Sequence, residues 1–372
     1  MFSASKTAAP VSGGYQIANS LRFRSSASAY LNRTFGTPTN TYKFTFSFWM
    51  KRGVLSAQEN FLGSNTYPNY MVLNINASDQ LQFVYGGTNA YGGYTTAVFR
   101  DPSAWYHIVY AVDTTQATDS NRVKIYVNGV QQTAITQIPG VTATYPPQNT
   151  ANPINSSSMV NEIAATNFTG TNTNFFDGYM ADINFIDGQA LDPSYFGVTA
   201  TATGVWSPKK YTGTYGTNGF KLNFSNGTST TTLGYDSSGN SNNWTTNNIS
   251  LTAGSTYDWM IDSPTSFAGT SYGVGNYAVL NPLDKLAAVS APSSANLKYT
   301  TANTLGLMRG TIGAKSGKWY FESTITAAPS TGSIYIGIKD STDPTMTSSN
   351  GLGSNSGSTN EFGYSQTGYK QN

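Results

Sequence analysis

The run YKFTFSFWMKR, Tyr42 to Arg52, sets Phe44, Phe46 and Phe48 two residues apart. Side chains alternate faces along an extended strand but recur about every 3.6 residues around a helix, so this phase specifies a strand with one aromatic face. The phase recurs along the first half of the chain. SLRFRSSASAYLNRTF alternates Leu21 and Phe23 with Arg22 and Arg24, the pattern of a half-buried strand, and YMVLNIN, QLQFVYG, YTTAVFR, WYHIVYAVD and RVKIYVNG follow at short intervals. Polar, turn-forming residues separate these runs. Many short strands spaced in this way restrict the chain to an all-β sandwich or jelly roll.

Composition supports an ordered chain of this class. Charged residues make up only 10% of the 372 positions, while the chain carries 37 Gly and 25 Tyr, which favours strands and turns. Aromatic residues at 13% supply apolar area that a disordered segment lacks. The net charge of +2 is spread along the chain, which argues against nucleic acid or an acidic membrane as a partner. Cysteine is absent, which removes disulfides, thiolate metal sites and cysteine nucleophiles. The start, MFSASKTAAPVSGGYQ, has no apolar signal core, and no run approaches the roughly 20 apolar residues of a membrane span. A soluble protein without membrane insertion and without an export signal is the expectation.

The length exceeds one ordinary domain. Residues 1–18 read as a polar arm and 19–200 as the main strand-rich body. Residues 201–275 read as a connector with a few strands, including GFKLNFS, and 276–372 as a second, smaller β module. Within the body, WYHIVYAVD and RVKIYVNGVQQT are expected to pair antiparallel, with a tight turn at Asn128-Gly129. FFDGYMADINFIDGQAL supplies a further strand ending at Asp187-Gly188.

The segment AWYHIVYAVDTTQATDSNRVKIYVNGVQQT, with FFDGYMADINFIDGQALDPSYFG after it, resembles the laminin-G/concanavalin A-like lectin module. That resemblance covers about residues 19–200 and implies an antiparallel two-sheet jelly roll with adhesive functions at its loop rims. GTIGAKSGKWYFESTI and IYIGIKD, with Trp319, Phe321 and Gly337, resemble the start of a SPRY-type sandwich whose later strands are missing. The tandem is similar to virion appendage proteins of tailed bacteriophages, such as the tail fibres of marine phages. It implies a structural or adhesion protein in the virion, made in the host bacterial cytoplasm and released by lysis. Its partners would be other virion proteins, copies of itself (a trimer by analogy with fibres) and a host surface glycan. A polysaccharide depolymerase is the alternative.

Catalytic chemistry finds few carriers. His107 is the only histidine, and it lies mid-strand on the face of Trp105 and Val109, without a Ser or Cys nucleophile in a recognisable motif. A packed, structural histidine is the expectation. The hydrolase relatives of lectin jelly rolls carry Glu-x-Asp on one strand face, yet none of Glu59, Glu162, Glu322 and Glu361 has an aspartate two positions away. The expectation is therefore a non-enzyme with no catalytic residues.

For metal, DTTQATDSN offers Asp113, Asp119 and Asn121, and DSSGN offers Asp236 and Asn240, as weak calcium ligands. Neither loop has calcium-loop spacing, so self-capped turns are favoured and no cofactor is required. Binding falls instead to the Tyr- and Asn-bearing loops GSNTYPNYM and YGGTNAYGGYTT. Tyr67, Tyr70, Asn89, Tyr91 and Tyr94 combine rigid aromatic area with adaptable hydrogen bonds, the chemistry of sugar-stacking sites, with packing of the tyrosines on neighbouring subunits as the equal alternative.

Overall fold

The computed structural model describes residues 14–64, 68–167, 170–201, 204–265, 275–286, 289–300, 306–314, 320–327, 334–339, 352, 361–365 and 370–371. Tyr67 and Trp319 lie outside them. The chain divides into two units, Thr7–Tyr277 with Ser293–Ala295, and Met1–Lys6 with Ala278–Pro292 and Asn296–Asn372.

The larger unit is the jelly roll. Its strands in chain order are β1 (Ser20–Phe23), β2 (Tyr30–Thr34), β3 (Lys43–Arg52), β4 (Glu59–Ser64), β5 (Met71–Ile75), β6 (Leu81–Tyr85), β7 (Tyr91–Thr95) and β8 (Tyr106–Asp113). They continue with β9 (Val123–Val127), β10 (Val130–Gln131), β11 (Ile135–Gln137), β12 (Val160–Ile163), β13 (Thr166–Asn167), β14 (Asn172–Thr173) and β15 (Gly178–Asp187). The last are β16 (Gly197–Thr199), β17 (Trp206–Pro208), β18 (Phe220–Leu222), β19 (Thr245–Asn247) and β20 (Trp259–Met260). Among the described residues, two antiparallel eight-stranded sheets form. The first runs β10-β9-β8-β3-β15-β1-β20, with β18 also on β15, and the second runs β11-β7-β6-β5-β4-β12-β2-β19.

The aromatic phase of β3 does what its spacing requires. Phe44, Phe46, Phe48 and Met50 project between the sheets, where they join Leu73, Phe83, Ile108, Tyr110, Ile163 and Phe185 in one core. The expected pairing of β8 with β9 is present, and the chain turns into β10 at Asn128-Gly129 with φ of 47° and 84° at those two residues. Two positive φ values in succession match the turn twist that a tight hairpin needs.

Four features differ from the sequence reading. Arg22 and Arg24 do not face solvent: both are buried and ion-paired to the buried Asp258, at 3.1 and 2.8 Å. The first sheet is covered on its second face as well, because residues 189–201 and 204–216 cross it and bury Val109 and Ile186 beneath Phe196 and Tyr211. Residues 204–265 are not a separate linking segment, since β18, β19 and β20 complete the sheets by pairing with β15, β2 and β1. The end of the expected arm is likewise anchored, because the Ile17 amide donates to Thr265 Oγ1, which in turn donates to the Ile17 carbonyl.

The smaller unit contains the pair Leu280–Lys285 with Met308–Gly310 and a three-stranded sheet of Tyr335–Lys339, Glu361–Ser365 and Lys370–Gln371. Gly337 sits in the first strand of that sheet, where a Cβ would lie 1.8 Å from the Phe362 carbonyl oxygen, while Phe321 is exposed.

Candidate functional site

His107 lies beneath Phe196 and Trp206 and is almost completely buried. The Trp206 indole N–H donates to its Nδ1 at 3.0 Å, and Nε2 lies 2.9 Å from Ser47 Oγ. Since an acceptor Nδ1 carries no proton, the ring is the neutral Nε2–H tautomer and donates to Ser47. Trp49 and Trp206 flank it with ring centroids 4.8 and 6.0 Å away. Burial without a compensating anion pushes its pKa down to about 3. Both nitrogens are engaged inside the fold.

The carboxylates that converge are also enclosed. Arg52 bridges Glu59 at 3.0 Å and Asp79 at 2.7 Å, while Glu59 accepts the Asp177 backbone N–H. All four residues are buried. This cluster staples one end of the sandwich and reaches the surface through Arg100, which pairs with Asp79 at 2.7 Å. The proposed calcium ligands are turn organisers. The Asp113 carboxylate accepts from Thr115 and Gln116 and pairs with Lys43 at 3.2 Å, and Asp236 accepts from Lys221, Ser238 and Asn242. Asp119 accepts from Ser120 at an exposed turn that also contains Asn121, and the Asn240 amide donates to the Gly216 and Gly219 carbonyls. Among the described residues no group of three or more His, Cys, Asp or Glu is placed to hold a metal ion.

The tyrosines expected to form one binding surface separate. Register pairs Tyr91 with the core residue Tyr85, which turns Tyr91 toward the core, whereas Tyr94 pairs with Gln82 on the opposite face. The Tyr70 ring lies over Gly86, where a Cβ would fall 2.1 Å from it, and Asn89 is exposed in the same β6–β7 turn. Tyr70 and Asn89 therefore share a neighbourhood, while Tyr91 and Tyr94 leave it in opposite directions.

Sequence reasoning passed over one surface depression. Thr37, Pro38, Thr39, Asn40, Thr41, Tyr42, Ser156 and Ser157 line an open depression of about 460 Å³ between β2 and β3. Its wall is rigid because of the buried Asp187 at the end of β15. That carboxylate accepts the backbone N–H groups of Thr39, Asn40 and Asn218 and the Asn155 side-chain amide. Further bonds tie Thr41 to Asn152 and Asn155. The Thr41 and Ser156 hydroxyls donate to the Asn155 and Asn152 carbonyls and Thr39 Oγ1 accepts the Thr217 N–H, so the Tyr42 ring is the exposed aromatic element of the rim. No lining residue carries a charge.

A second polar feature lies on the outer face of the second sheet. Leu73 and Phe83 point into the core, so the adjacent positions point away from it. There Asn60, Asn74, Gln82 and Tyr94 stand in register across β4, β5, β6 and β7.

Residues 24–194 match the concanavalin A-like lectin/glucanases superfamily. The matched region runs from just after β1 to just past β15, which agrees with the lectin-like architecture. No curated protein matches the chain. Among solved structures, a candidate carbohydrate-binding protein from Bacteroides ovatus is similar at 17% identity and a TM-score of 0.36. That match covers 63% of this chain and 59% of the Bacteroides chain, less than two thirds of its length. The heptameric SAP-like pentraxin of Limulus polyphemus gives 13% identity and 0.34, covering 48% and 79%. The CBM40 of the Ruminococcus gnavus IT-sialidase gives 13% and 0.31, covering 49% and 92%.

Proposed function

We propose that the jelly roll is a non-enzymatic carbohydrate-binding module of a tailed-phage virion appendage, and that it contacts host-surface glycan through the depression beside Tyr42. The observation that carries the binding site is the uncharged depression beside the exposed Tyr42 ring, held rigid by Asp187. Its size falls in the range of ligand sites, about 300–1,000 Å³. A sugar ring presents C–H faces that pack on an aromatic side chain and hydroxyls that exchange hydrogen bonds with Thr, Ser and Asn. The lectin-like fold supports the same reading. The virion context rests on the tandem of lectin-like and SPRY-like segments, and assembly with virion proteins and with further copies of the chain belongs to that context.

The test is a glycan array followed by titration calorimetry on the hits. Tyr42→Ala is expected to weaken saccharide binding at least tenfold while leaving Tm within about 2 °C, because Tyr42 is a partly exposed rim residue. Undiminished binding by this variant rejects the rim site. Release of reducing ends from host capsule or lipopolysaccharide would favour the depolymerase reading instead.

A further inference from the structure

The outward face of the second sheet contains polar groups that the fold leaves unused. Asn60 and Asn74 are fully buried, and neither the Oδ1 nor the Nδ2 of either has a hydrogen-bond partner. The two residues face each other across β4 and β5, one inter-strand spacing of about 4.8 Å apart. A neighbouring row adds more. Glu162 on β12 stands opposite Gly63, with the Asn172 side chain of β14 as a hydrogen-bond partner. Thr166 on β13 packs over Gly63, where a Cβ would come 2.9 Å from its Oγ1, and that hydroxyl also has no partner.

Native proteins satisfy nearly all buried polar atoms, and a group left without a partner is usually explained by a ligand, an ion or ordered water. Carboxamides that need neither each other nor the backbone do not hold this fold together. Beside them, Gln82 and Tyr94 are half-buried and continue the row toward solvent.

The chemistry of the set restricts the occupant. Among the described residues, the rows Asn60-Asn74-Gln82-Tyr94 and Asn32-Glu162-Gly63-Val72-Val84 carry no lysine, arginine or histidine. A carboxylated sugar would therefore lose its hydration without gaining a cation, and would meet Glu162 nearby. A hydroxyl both donates and accepts, as does each carboxamide, so a polyhydroxyl ligand can satisfy both atoms of both amides. Glu162 adds to this: burial raises its pKa to about 7, which leaves it able to donate as the neutral acid in mildly acidic solution.

We propose that Asn60 and Asn74 form the floor of a covered subsite for one neutral, hydroxyl-rich sugar residue, entered past Gln82 and Tyr94. The subsite rests on the saccharide-binding reading of the jelly roll but is separate from the rim depression.

The test uses the full chain with the shape-conserving variants Asn60→Leu and Asn74→Leu. Tm is measured without ligand, and binding is measured with methyl glycosides of glucose, galactose and mannose, with galacturonic and N-acetylneuraminic acids as charged comparators. An amide kept for a ligand burdens the empty fold, so each variant should raise Tm by about 2–4 °C and reduce neutral-glycoside binding at least tenfold. A lower Tm or failure to fold would show that the amides are structural and overturn the proposal. So would retained glycoside binding, preference for the acidic sugars at this row, or a high-resolution structure with only ordered water on the four amide atoms. If Tyr42→Ala abolishes binding while Asn74→Leu does not, the rim reading survives and the covered subsite falls. If no saccharide binds wild type at all, both fall.

Discussion

Replacing the lone histidine gives a quantitative test of the packed layer formed by residues 189–201 and 204–216. In the fold His107 stays neutral down to about pH 3, whereas an exposed imidazole titrates near 6.5. Acid therefore protonates the unfolded chain first. The stability supplied by the neutral ring is complete above about pH 6.5 and is lost as pH falls toward 3. One proton of difference changes the unfolding free energy by about 1.4 kcal/mol per pH unit. His107→Gln can still accept from Trp206 and donate to Ser47, but it gives up ring packing against Trp49 and Trp206. At pH 7.5 it should cost about 1–3 kcal/mol. Between pH 6 and 4 its stability should fall less steeply than wild type by about 1.4 kcal/mol per unit, so that the two curves converge near pH 5. Urea unfolding followed by tryptophan fluorescence at half-unit pH steps reads both quantities. Parallel curves would mean that His107 is solvated or charged in the native state, and would refute the packing derived for it. Saccharide binding at neutral pH should be unchanged by the substitution.

Other substitutions probe neighbouring parts of the structure. Asp187→Ala strands the N–H groups of Thr39, Asn40 and Asn218 and the Asn155 amide, and should cost about 3 kcal/mol or more while also abolishing rim binding. Denaturant titration and calorimetry check the two effects, and intact binding would separate the loop from its carboxylate support. Gly197→Ala places a methyl about 2.3 Å from the Trp206 ring and should cost about 1–3 kcal/mol, with a change in tryptophan emission as the indole leaves His107. An unchanged spectrum and Tm would contradict the close approach.

The sequence made local periodicity legible. Phe44, Phe46 and Phe48 announced an inward strand face, and Asn128-Gly129 announced a hairpin, because strand phase and turn chemistry are written in adjacent residues. Pairing between distant segments was not legible. Nothing near Arg22 indicates that Asp258, more than 230 positions later, neutralises it inside the protein, so a buried strand read as half-exposed. The same limit hid the closure of both sheets by β18, β19 and β20. That Tyr91 and Tyr94 lie on different faces was missed for a simpler reason. Tyr91 and Tyr94 are an odd number of positions apart, so within one strand they must point to opposite faces, and composition had outweighed phase. The amide row falls between these cases. Asn74 and Gln82 each occupy the outward phase of an apolar strand, but only the register across β4 to β7 brings them into line with Asn60. The depression beside Tyr42 owes its rigidity to a carboxylate more than 140 residues from the loop it holds, which no local pattern reveals.

The central claim, saccharide recognition by the jelly roll, is most directly tested by titrating the isotopically labelled chain with neutral oligosaccharides and mapping amide shifts. The account predicts saturable shifts at Thr37–Tyr42 and Ser156–Ser157, with a second set at Asn60, Asn74, Gln82 and Tyr94. Shifts confined to other faces of the molecule, or none with any neutral or acidic glycan at millimolar concentration, would contradict it.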